Sequence, residues 1–142
     1  MGRPIAERGT ALILVPTMML VLLALGAIAI DLSVLHLSHR TVHRVVSSAA
    51  DDAAGMIDTR QVQIDGSVRI DSATARRTVA AHLEAASLPG TLQGAPQVEV
   101  SGDGLSLTVR VKVEVPHILL RSMPGARRSE LLTVSASARI LR

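Results

Sequence analysis

Three histidines, His36, His39 and His43, recur at steps of three and four. On a helix they fall within about 60° of one another. Imidazoles so placed invite three readings: a shared metal ion, a patch that charges together near neutral pH, or packing at an interface. Successive turns of a helix point three side chains too divergently for one tetrahedral ion, and no carboxylate nearby completes the set. Packing or interface histidines are therefore the expectation. Asp51-Asp52 could form a carboxylate pair, but adjacent helical residues point about 100° apart and cannot share one site. They are expected to be solvated or to face a neighbouring subunit's arginine. Ser33, Ser38, Ser47 and Ser48 have no nucleophile elbow around them, and no glycine-rich phosphate loop is present. The Ser101-Gly102-Asp103-Gly104 stretch lacks the other acids of a calcium loop and is expected to be a turn.

Composition narrows the chemistry further. The 142 residues contain no Cys, Phe, Tyr or Trp. That removes disulfides, thiol catalysis and Cys-ligated zinc. It also removes base or sugar sites built on stacking rings. The net charge of +3 is spread along the chain, and the Arg121, Arg127, Arg128 group is expected to be a solvated loop. No nucleic acid, small-molecule substrate, cofactor or metal is expected, and no enzyme.

The elements that position these residues begin with residues 11–30, ALILVPTMMLVLLALGAIAI, which carry no charge. Twenty helical residues span roughly 30 Å, the thickness of a bilayer's hydrocarbon core. This run accounts for most of the mean hydropathy of +0.38. The apolar pattern then continues. Met18, Val21, Leu25, Ile28, Leu32, Leu35, His39, Val42, Val46, Ala49, Ala53 and Met56 follow at alternating steps of three and four, broken only by His39. The pattern predicts one continuous helix, membrane-embedded below and amphipathic above, ending between Gly55 and Asp58. Val42, Val46, Ala49, Ala53 and Met56 form its packing and assembly stripe. Asp31 is expected to mark the exit into water. Pro16 should kink the span, with Thr17 helping to satisfy the carbonyl that the proline frees.

The basic lead, residues 1–9, favours an inside N-terminus and an extracytoplasmic remainder. A cleavable secretory signal cut near Ala24-Leu25-Gly26 is the rival reading. The apolar run is longer than a usual signal core, and the stripe continues past that point, so an uncleaved or N-terminally trimmed anchor is expected.

The lead ending in Glu7-Arg8-Gly9, the span with an early proline, the Asp at its outer edge, the basic segment and Ala49-Ala50-Asp51-Asp52-Ala53-Ala54 together resemble the TadE/TadG-like proteins of Flp-pilus (tight-adherence) assembly. The resemblance covers about the first 57 residues. It implies a minor-pilin-like membrane component whose partners are pilin subunits or pilus assembly platform proteins. It also marks Gly9 and Thr10 as a possible processing site. Pilins of the type IV class carry a glutamate five residues after the cut; here that residue is Leu14, and no acid lies between Thr10 and Ile30. An unpaired amine in an apolar filament interior is costly. A minor component or uncut anchor therefore fits better than a self-polymerising pilin.

Beyond the helix, residues 61–71 alternate around Asp65-Gly66 and predict a hairpin. Asp71 or Ser72 should cap a helix to about Ser87, with Ala75, Val79, Leu83 and Ala86 inward. Residues 91–96 read as loop. Strands are predicted over 97–101, 105–115 and 130–141, with an irregular or helical crossing over 117–123 and a turn at Pro124-Gly125. The predicted fold is α+β: a long helix packed on a small antiparallel sheet with one further helix, as in a pilin. The expected divisions are residues 1–9 (cytoplasmic lead), 10–30 (span), 31–58 (extracytoplasmic helix) and 59–142 (small domain). The function expected is a membrane-anchored component of a Flp-type pilus or related envelope filament. The alternative is a single-span envelope accessory or binding subunit unrelated to pili.

Overall fold

The computed structural model describes residues 6–120 and 125–140, with side chains from Ile13 onward. Residues 1–5 of the basic lead, 121–124 of the crossing and its turn, and 141–142 lie outside the described residues. A helix α1 of 49 residues, Ala6–Ala54, dominates the molecule and runs unbroken through Pro16. At 1.5 Å per residue it is about 74 Å long. The Thr17 hydroxyl donates to the Ile13 carbonyl at 2.8 Å, so it serves the next carbonyl up, not that of Leu12, which faces the proline. Gly55 stops the helix slightly earlier than expected, as a turn residue immediately after Ala54.

One face of the upper half of α1 is buried against α3 and the sheet. Val42, Val46, Ala49, Ala50, Ala53 and Ala54 are all core residues, and Met56 is half-buried. The stripe differs from the predicted one at its lower end. Ser38 occupies the inward position and His39 is exposed; Asp31 is inward and Leu32 is 61% exposed. Moving one residue rotates a helical position by about 100°. A stripe drawn from hydrophobicity alone therefore missed the face that the domain covers.

After α1 the predicted hairpin is absent. Residues Thr59–Asp65 form a short helix α2. The Asp58 carboxylate accepts from the backbone of Arg60 at 3.0 Å and Gln61 at 3.3 Å. Gly66, at φ 73°, closes the other end by donating to the Val62 carbonyl. The Asp65-Gly66 pair is thus a helix stop, because capping at both ends is local whereas four-residue strands would have needed a neighbouring sheet. An Ile57–Ile70 bridge closes the excursion, and the Ile70 amide donates to the Gly104 carbonyl at 2.9 Å.

Helix α3, Ser72–Ala85, starts on Asp71, whose carboxylate accepts from the amides of Ala73 and Thr74. It buries Ala75, Val79 and Leu83. The alanines of α1 let α3 approach closely, and His82 Nδ1 reaches Asp52 Oδ2 at 2.9 Å. Asp51 and Asp52 are both exposed, as expected, and Asp52 in addition has a partner within its own chain.

Four strands make an antiparallel sheet: β1 (Thr91–Leu92), β2 (Gln97–Val100), β3 (Ser106–Pro116) and β4 (Ser129–Arg139). The stretch expected as loop supplies β1. The long β3 is central. It pairs with β4 along its whole length, while β2 and β1 share its other edge. Strict alternation along β3 sends Leu107, Val109, Val111, Val113 and Val115 inward. Register then aligns them in rows: Val98, Val109 and Ala136 in one, Leu92, Val113 and Leu132 in another. Each valine so buried contributes roughly 1.5–3 kcal/mol. A row of valines facing small alanines leaves room for α1 on top. The outer face carries Arg110, Lys112, Thr133 and Ser135. Gly90 packs against the backbone of β3, where any Cβ would run into the Glu114 carbonyl. The architecture is α+β, with one core between α1, α3 and the inner face of the sheet.

Candidate functional site: the uncovered apolar helix and the Asp31 clasp

Below the domain, α1 is bare. Every residue of the 13–30 stretch is exposed except Ala24 and Ala27, which are half-covered. Leu14, Met18, Leu22 and Leu25 are each between 57% and 66% exposed. This helix is long and apolar enough to cross a membrane. No segment of the described chain folds back to cover it. Gly9 and Thr10 lie within the first turns of α1.

The junction between bare and covered helix is made by one carboxylate. Asp31 is only 1% exposed, so it does not emerge into water as expected. Its Oδ1 accepts from the backbone amides of Ile118 at 2.9 Å and Leu119 at 3.1 Å. Its Oδ2 accepts from Leu120 at 2.7 Å and again from Leu119 at 3.3 Å. Three consecutive amides converging on one anion are charge-assisted bonds in a backbone nest. His117, 8% exposed, brings Nδ1 to 4.0 Å from Oδ2, and among the described residues no other partner meets that nitrogen. Burial acts to raise the carboxyl's pKa. The three amides and the His117 charge outweigh it, so Asp31 sits below its ordinary value. The chain leaves β3 at Pro116, and the His117 amide donates to the Arg128 carbonyl at 3.0 Å. That bond holds the two ends of the crossing together.

The open face of α1 above the clasp bears a shallow groove lined by His39, Arg40, His43, Arg44, Ser47, Ser48 and Asp51. His36, His39 and His43 are all exposed there. The His39 and His43 rings stack with centroids 6.5 Å apart, and Ser47 Oγ lies 3.4 Å from His43 Nδ1. Ser33 Oγ donates to its own helix at Ala29. Among the described residues no group of three or more histidines and carboxylates is placed to hold a metal ion. Asp103 accepts from the Leu105 amide at 3.0 Å and from the Ser101 hydroxyl, the geometry of a turn.

The structure brings together Val42, Val46, Ala49 and Ala53 in the core and leaves His36, His39 and His43 outside it. Sequence reasoning missed the role of Asp31, the Asp52–His82 pair and the crossing residues Ile118 and Leu119. An acid at the end of an apolar run was visible, but its partners lie 87 to 89 residues away, and backbone amides leave no mark in a sequence.

No protein-family model, curated protein or solved structure matches the chain. What the geometry offers is an apolar rod, uncovered among the described residues, whose helix continues into a small α+β domain.

Proposed function

We propose that the protein is a membrane-anchored structural or assembly component of a Flp-type pilus or related envelope filament, minor-pilin-like in plan. The observation that carries this reading is the bare 13–30 stretch, continuous with the helix on which the whole domain is built. Exposed apolar surface on that scale requires a lipid or protein environment. The order of motifs in the first 57 residues supports the pilus assignment, and so does the helix-on-sheet plan. The lack of any acid between Thr10 and Ile30 favours an anchored or minor component over a polymerising subunit.

Crosslinking in the native membrane tests the partners. Adducts with pilin subunits or with pilus platform proteins are expected. Adducts only with unrelated envelope proteins would replace this reading with that of a single-span accessory subunit. The orientation follows from the basic lead, with the domain beyond Asp31 extracytoplasmic. Protease added to spheroplasts should digest that domain, and its survival until lysis would reverse the orientation.

A further inference from the structure

We propose that the 117–120 crossing is a membrane-contact element that seats the domain on the lipid surface, with Ile118 and Leu119 entering the boundary between headgroups and acyl chains. The inference rests on the anchored reading above and adds to it a second point of lipid contact.

The position comes first. Asp31 follows the last residue of the apolar run, so a spanning helix places it at the edge of the hydrocarbon layer. The amides of Ile118, Leu119 and Leu120 all bond to Asp31. The crossing is therefore held at the height of that edge. Exposure comes second. Ile118 is 49% exposed, Leu119 39% and the neighbouring Leu32 61%. Together they extend the bare apolar surface of α1 sideways onto the domain. The backbone comes third. Irregular chain enters a low-dielectric boundary only if its amides are satisfied. Here Asp31 satisfies three in a row, and the carboxylate is itself shielded from water. The charge comes last. Arg127 and Arg128 are exposed on the returning limb of the crossing. The backbone of Arg128 is tied to His117, which places it beside the same edge, in reach of lipid phosphates. The carboxylates nearby are Glu130 and Glu114, and Glu114 is engaged by Gln93 and Ser129.

The chain has no tryptophan, so a single introduced indole reports one position without background. Three full-length variants, Ile118→Trp, Leu22→Trp and Ile64→Trp, are reconstituted in vesicles of phosphatidylcholine and phosphatidylglycerol, with lipids brominated either near the top of the acyl chain, at the depth of Ile118, or near its end, at the depth of Leu22. Ile64 is 71% exposed and sits on α2, which follows the upper end of α1; that end, Ala54, lies about 35 Å along the helix from Asp31. The expected result is strong quenching by bromolipid in Leu22→Trp and Ile118→Trp, with Ile118→Trp shielded from aqueous acrylamide. Ile64→Trp should be quenched by acrylamide alone. Bromolipid quenching of Leu22→Trp but not of Ile118→Trp would overturn the seating while leaving the anchor intact, whether water or a second protein copy covers the crossing. Equal bromolipid quenching at Ile118→Trp and Ile64→Trp would overturn it as non-specific adsorption. Failure at Leu22→Trp would remove the anchored reading and this one with it.

Discussion

Val46→Asp is expected to unfold the domain. Val46 is fully buried on α1 between the sheet and α3. A carboxyl there has no partner, so it must either stay charged without water or take up a proton and still lack a hydrogen bond. The cost is on the order of 5 kcal/mol, comparable to the entire stability of a small domain. Arg44→Asp makes the matched control. Arg44 lies on the open face of the same helix, two residues away, and its replacement should cost no more than about 1 kcal/mol. Far-UV circular dichroism of the full chain in detergent reads both. The sheet signal of Val46→Asp should be lost well below the melting temperature of the native protein, and that of Arg44→Asp should not move appreciably. Equal melting temperatures would show that α1 stands free of the sheet.

Asp31→Ala should release the crossing without unfolding the core. The three amides that meet Asp31 would lose their acceptor in a place water does not reach, which costs more than losing an exposed bond. Hydrogen exchange at Ile118, Leu119 and Leu120 should accelerate on the order of tenfold or more. The central valines of β3 should keep their protection. Acid provides a second arm. The folded carboxyl titrates below its unfolded value, so its contribution is complete above the ordinary carboxylate range. It is lost as pH falls through the lower, folded value. The difference between native protein and Asp31→Ala is therefore full at neutral pH and closes below about pH 4. A difference that persisted unchanged into acid would mean that the carboxylate's charge plays no part in holding the crossing.

Periodicity alone specified much of this molecule. The uncharged run of residues 11–30, the continuation of the helix through Val42, Val46, Ala49 and Ala53, the capped helix after Asp71 and the alternation of β3 and β4 are each written in neighbouring residues. Hydrophobic period is a local property, and it reports which face will be buried before anything says against what. The α+β architecture followed from the need to bury those faces together.

Tertiary structure decided what local pattern left ambiguous. Asp65-Gly66 suits a hairpin turn and a helix stop equally well. The local cap at Asp58 favours the helix, and the Ile57–Ile70 bridge, made only in the folded chain, closes it. The lower stripe turned by one residue, from Leu32 and His39 to Asp31 and Ser38, because the crossing covers the helix from one particular side. Asp52 found His82 only once α3 had packed. Asp31 is the sharpest case. By itself an acid after an apolar run reads as an exit into water, since an unpaired charge belongs there. Three backbone amides from a segment nearly ninety residues later reverse that preference, because a carboxylate with enough donors is as well solvated by protein as by water. Those donors belong to the backbone and are the same for every residue but proline, so only the folded chain could say where they would meet.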